Sequence, residues 1–177
     1  SVPPNLVQPL LLDPADLRSR KLFGFDRSGA QLLDLTFEGI QYRFEKVHGQ
    51  WQVRLPEQTT LRNQSDVERI LDLLSRLEAV GIERADTGDD LRYGLAEPIL
   101  AAETTIVDAA GTPTNYGPLR VGGLVADSLV ERYARVAGRS GVFRVRQDLI
   151  TGIRSALGGL TPAKENQLTE KVNTDSL

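Results

Sequence analysis

Hydrophobic and polar positions alternate with a period of two in three consecutive runs. Leu33, Leu35 and Phe37 alternate with Asp34, Thr36 and Glu38; Ile40, Tyr42 and Phe44 with Gln41, Arg43 and Glu45; Trp51, Val53 and Leu55 with Gln52 and Arg54. Each run predicts a strand with one buried face. Glu38-Gly39 and His48-Gly49 separate the runs and supply the glycines that tight hairpins need. An antiparallel meander is expected. After it the period lengthens: Val67, Ile70, Leu71, Leu74 and Leu77 share one helical face. Ser65-Asp66-Val67-Glu68 has the form of a capping box, and Gly81 is the expected stop of a helix over residues 65–80. Its apolar stripe should lie on the apolar face of the meander.

A second block repeats the scheme less clearly. Ile82–Ala85 reads as a strand, Asp86–Asp90 as an acidic loop, and Leu91–Tyr93 as one helical turn stopped by Gly94, with Pro98 barring any helix beyond it. Strands follow at Thr104–Asp108 and at Leu119–Val121, the latter ended by a turn at Gly122-Gly123. Leu129–Ala137 and Val142–Arg146 read as a hairpin, and Leu149, Ile150, Ile153 and Leu157 as a helical stripe ended by Gly158-Gly159. At the start, Asn5–Leu12 reads as a short apolar helix and Asp13-Pro14 as a helix start.

The expected fold is α+β: two lobes, each an antiparallel β-meander packed by an amphipathic helix. Residues 1–21 form a helical lead-in, 22–87 the first strand-helix lobe, 88–98 a connector, 99–160 the second strand-helix lobe, and 161–177 a polar tail with little to bury. Val142–Leu157 echoes Val2–Leu12, so the lead-in reads as the end of a preceding copy and the whole as a module of an array.

Composition narrows the function classes. The 177 residues carry a net charge of −3, which argues against a general nucleic-acid binder. The sign is uneven: residues 65–108 hold eleven acids against four arginines, and residues 119–157 hold seven arginines against three acids. Pairing between these regions is the plainest account. With no cysteine there is no disulfide, thiolate nucleophile or zinc-thiolate site. Such a composition fits an extracytoplasmic home. No apolar run is long enough to span a bilayer, and no signal peptide is present. The chain lacks methionine even at position 1, and so reads as a processed or excised segment with any targeting element upstream.

Candidate chemistry is sparse. His48 is the single histidine and falls in a hairpin turn, which leaves no partner set for a histidine-based triad or zinc site. Asp86-Thr87-Gly88-Asp89-Asp90 lacks the spacing and distal glutamate of an EF-hand. Gly122-Gly123 is followed by no lysine and is not a phosphate loop. Trp51 is in register with Val53 and Leu55 and reads as core, and Tyr93 as packing beside Gly94. A carboxylate-only hydrolase would need two acids facing one cleft; Glu103 and Asp108 are on a strand, with nothing to place them opposite each other. No catalytic residue, metal ligand or cofactor is expected. One patch stands out, in which Arg144 and Arg146 project opposite to Phe143 and Val145 while Arg132 and Arg135 lie on the neighbouring strand.

The chain resembles the family called domain of unknown function 4340. The likeness is carried by Arg18-x-Arg20 before Leu22 and Phe25, by Gly49 and Trp51 followed by Pro56, and by the leucine-rich stretch 65–80. Tyr93-Gly94-Leu95 with Pro98, Val121-Gly122, Tyr133-Ala134-Arg135 and Val142-Phe143-Arg144-Val145 complete it. The resemblance implies bacterial proteins with an N-terminal membrane anchor and a repeat-bearing extracytoplasmic body, some associated with ABC-type transport or gliding motility. It brings no catalytic residues. The expectation is a non-catalytic interaction or scaffold module that meets a protein partner in a membrane-associated assembly and neither binds nucleic acid nor inserts into the bilayer itself. The alternative is a binding module for an anionic extracellular polymer or glycan that uses Arg132, Arg135, Arg144 and Arg146.

Overall fold

The computed structural model describes residues 20–57, 59–83 and 90–162. The expected helix at Asn5–Leu12, the Asp13-Pro14 helix start, most of the 86–90 loop and the tail beyond residue 162 lie outside the described residues. The strands are β1 (Ala30–Phe37), β2 (Ile40–Val47), β3 (Gln50–Leu55), β4 (Thr59–Leu61), β5 (Gly81–Glu83), β6 (Leu100–Val107), β7 (Pro113–Leu124), β8 (Glu131–Val136), β9 (Val142–Arg146) and β10 (Leu160–Pro162). The helices are α1 (Gln64–Ser75) and α2 (Asp148–Leu157). The architecture is α+β and mostly antiparallel.

The meander β1-β2-β3 forms as the alternation predicts. Both hairpins close with two residues at positive φ: Glu38 at 50° with Gly39 at 81°, and His48 at 51° with Gly49 at 79°. That is the backbone twist a two-residue turn between right-twisted strands requires. The division into two lobes does not hold. β1 pairs along its length with β6, Leu35 opposite Ala102 and Phe37 opposite Leu100. The result is one eight-stranded sheet in the order β3-β2-β1-β6-β7-β8-β9-β5, beside a two-stranded sheet of β4 and β10. Pairing β1 with β6 satisfies the backbone groups that two separate sheets would each leave exposed at an edge.

One core serves both blocks. Leu33, Leu35 and Phe44 from the first meander and Leu119, Val121 and Val145 from the second are almost fully buried in the same cluster as Val67, Ile70, Leu71 and Leu74 of α1 and Ile150 and Ile153 of α2. The two helices touch closely: a Cβ at Gly152 would come within 2.6 Å of Leu73 Cδ1. A mid-helix glycine costs about 1 kcal/mol relative to alanine, and here it lets α2 approach α1.

The first helix differs from its expected form at both ends. Its N-cap is Asn63, whose side chain accepts from Ser65 N–H at 3.1 Å; the Ser65–Glu68 capping box does not form. Glu68 is engaged elsewhere, accepting from Trp51 Nε1 at 2.8 Å. Gln64 donates to Trp51 O at 2.9 Å and accepts from Trp51 N–H, so its amide imitates a further strand along the β3 edge. The helix stops at Ser75, short of Val80, because the next residues find partners outside it: Leu22 N–H donates to Leu77 O at 3.0 Å and Ala79 N–H to Arg20 O at 2.7 Å. Gly81 opens β5 and does not cap the helix. A Cβ there would meet the Arg144 guanidinium at 2.1 Å.

Candidate functional site

The sheet has two unlike faces. The helices cover the inner one. The outer one carries the polar half of each alternating run, and the segment after Asp90 crosses it at one end. There Tyr93 and Leu95 pack with Tyr133 and Val142 in a separate small apolar cluster, and the Tyr93 and Tyr133 rings lie 4.6 Å apart at 66°. Gly123 N–H donates to Tyr93 O at 2.8 Å, and a Cβ on Gly122 would meet that same oxygen at 2.4 Å. Gly122-Gly123 is therefore not a hairpin turn. It lies inside β7, at the irregularity between Val121 and Leu124, where the connector needs bare backbone to approach.

The four arginines of the expected patch do not form one surface. Arg132 has the same parity as the buried Ala134 and Val136, so it projects to the inner side. It donates from Nε to Gln147 Oε1 and from Nη1 to Gly122 O at 2.9 Å. Desolvation, with a smaller contribution from Arg154, lowers its pKa below the usual guanidinium value. Arg144 is on the outer side, where Nη1 donates to Glu131 Oε2 at 3.2 Å and Nε stands 3.7 Å from Glu83. Arg146 meets Asp148 at 3.1 Å in a pair that is mostly exposed. Arg135 Nη1 lies 3.1 Å from Asp90 Oδ1, yet Arg135 Nε and that oxygen are buried without a hydrogen-bond partner. Distance and alignment disagree here; the pair has Coulomb attraction but little directed bonding.

Among the described residues two ion pairs join the acidic and basic regions, Arg135–Asp90 and Arg144–Glu83, so pairing between them accounts for only part of the charge. Arg154 instead meets Glu38, outside the acidic region.

One outer-face arginine that sequence reasoning did not single out is Arg120. It is exposed and has no ion-pair partner among the described residues. The register places Gln41, Thr36, Ala101, Arg120 and Arg135 in one row across β2, β1, β6, β7 and β8. Two half-open hollows meet at Arg120 and Pro118. One, of about 400 Å³, is also lined by Asp34, Thr36, Gln41 and Glu103; the other, of about 310 Å³, by Arg135 and Arg139. Asp34 accepts twice from Arg43, at 2.6 and 3.1 Å. Glu103 stands directly opposite Asp34, a pairing that only strand register reveals. Asp108, by contrast, accepts from Ala110 and Thr112 N–H in the β6–β7 turn and does not join Glu103.

The remaining candidates have structural roles. Trp51 is buried and Tyr93 packs on Tyr133. Among the described residues no group of three or more metal-ligating side chains comes together, and no helix is long and apolar enough to cross a membrane. No protein-family model, curated protein or solved structure matches the chain.

Proposed function

We propose that this chain is a non-catalytic interaction module, presented on the extracytoplasmic side of a bacterial membrane as part of a larger tethered protein and accessory to an ABC-type transport system. The observation that carries the reading is the unequal use of the sheet. One face is sealed by α1 and α2, while the opposite face over β1, β2, β6 and β7 bears polar side chains and open hollows. The resemblance described above supports the location and the assembly. In the larger hollow both Asp34 oxygens are taken by Arg43, which favours recognition over proton transfer.

The absence of cysteine makes a direct test practical. Gln41→Cys adds a thiol to the outer face of this module in the full-length protein in its native membrane, with the unsubstituted protein as the labelling background. A membrane-impermeant maleimide is expected to label it without cell lysis, and a short thiol cross-linker to give one discrete adduct with a membrane-embedded transport component. Labelling only after lysis, or no such adduct, overturns the proposal.

A second reading is favoured by the Arg120–Arg135 juxtaposition. Like charges directly opposite on adjacent strands are destabilising; Asp90 answers Arg135, and an anionic partner would answer Arg120. In this reading the module binds an anionic extracellular glycan.

A further inference from the structure

We infer that the outer-face furrow centred on Arg120 binds the acidic end of a uronic-acid-containing sugar chain, with the carboxylate on Arg120 beside Arg135 and the hydroxyl-rich remainder in the adjoining hollow. This rests on the second reading in taking the ligand as an anionic glycan; the place and polarity of binding are new. Arg120 and Arg135 face one another across β7 and β8. The guanidinium of Arg120 is uncommitted among the described residues, whereas Arg135 Nη1 already stands 3.1 Å from Asp90 Oδ1, so Arg120 supplies the free fork and Arg135 adds to the positive field beside it. Both line the hollow of about 310 Å³ that Arg139 completes. Guanidinium forks match carboxylates in geometry, and charge-assisted pairs are the stronger hydrogen bonds.

The other hollow sets the class of ligand. It shares Pro118 and Arg120 with the first and is lined by Asp34, Glu103, Thr36 and Gln41. Arg43, which also lines it, occupies both Asp34 oxygens. Glu103 is therefore the carboxylate that repels a second anionic group and accepts hydrogen bonds from hydroxyls, while Thr36 and Gln41 both donate and accept. A polyphosphate or a uniformly sulfated chain would bring negative charge onto Glu103. A ligand with one carboxylate and neutral hydroxylated units beyond it matches both hollows at once. Ala101, between Thr36 and Arg120 in the row, leaves the floor low so that a ring can lie across the strands.

The test is titration calorimetry on the folded protein at low and at physiological salt, with three probes: a glucuronic-acid-terminated disaccharide, its neutral counterpart, and inorganic phosphate. The acidic disaccharide is expected to bind in preference to the other two and to weaken as salt rises. Arg120→Gln should weaken it about tenfold or more with the melting temperature unchanged, since the side chain is exposed. Equal binding of the neutral sugar or of phosphate, or an unchanged Arg120→Gln, overturns the inference. Polygalacturonate separates the two levels. If it binds and is lost in Arg146→Gln but not in Arg120→Gln, the glycan reading stands and this site fails. If no acidic sugar binds in any form, both fail.

Discussion

The inner and outer faces of the large sheet are built from the same strands yet work in opposite ways. On the inner face Leu33, Phe44, Leu119 and Val145 meet the helices and lose nearly all contact with water. Their neighbours in sequence, Asp34, Arg43, Arg120 and Arg144, point outward and are held by ion pairs or by none. Burial contributes about 1.5–3 kcal/mol per large apolar side chain, whereas exposed ion pairs contribute about 0–1 kcal/mol. Stability therefore resides on one face, which leaves the composition of the other free to serve recognition.

Substitutions can break or sharpen this contrast. The largest effect is expected at Ile150→Ala, where α2 meets the core: a loss of about 2–5 kcal/mol, read from urea denaturation. A loss below about 1 kcal/mol would mean that the inner face does not dominate. Next is Gly122→Ala, whose Cβ would press on Tyr93 O at 2.4 Å. Overpacking of this kind costs about 1–3 kcal/mol, and NMR shifts confined to Tyr93 and Tyr133 would show the connector lifting from the outer face.

Glu68→Ala is smaller, about 1 kcal/mol, because it leaves the Trp51 indole N–H without its acceptor. Trp51 is the sole tryptophan, so its emission reports the change directly. Tyr42 offers a pH test. Burial, followed by the nearby Glu38 charge, raises its pKa. The unfolded chain ionises first, from about pH 10, so the contribution to stability is whole below that pH and is lost as pH climbs through the raised folded value. Tyr42→Phe should remove that part of the alkaline loss. Smallest is Arg54→Ala, which breaks an exposed pair with Glu45 and should change stability by less than about 1 kcal/mol.

Much of the first block was legible because its signals are local. Alternation marks β1 to β3, and Glu38-Gly39 and His48-Gly49 mark turns whose positive φ follows from chain twist. The stripe of α1 was equally clear, but its ends were not. Asn63 and Ser65 are both good caps, and only the engagement of Gln64 and Glu68 by Trp51 places the start. Gly81 and Gly122-Gly123 looked like stops and turns. They are instead close approaches, to Arg144 and to the Tyr93-Gly94 backbone, residues distant in the chain. The arginine patch was misread for a related reason: Arg132 falls on the inner parity of β8, and its neighbour Arg135 on the outer.

The sequence by itself determined which residues of the first meander and of the two helices face inward, where the hairpins of that meander turn, and that cysteine chemistry is absent from these residues, because periodicity, turn geometry and composition act over a few residues. Tertiary structure alone decided that β1 joins β6 and so makes one sheet of two blocks. It also brought Asp34 opposite Glu103 and Arg120 opposite Arg135. Strand partners are chosen by the burial of a shared core and the satisfaction of edge hydrogen bonds, and both are properties of the whole chain.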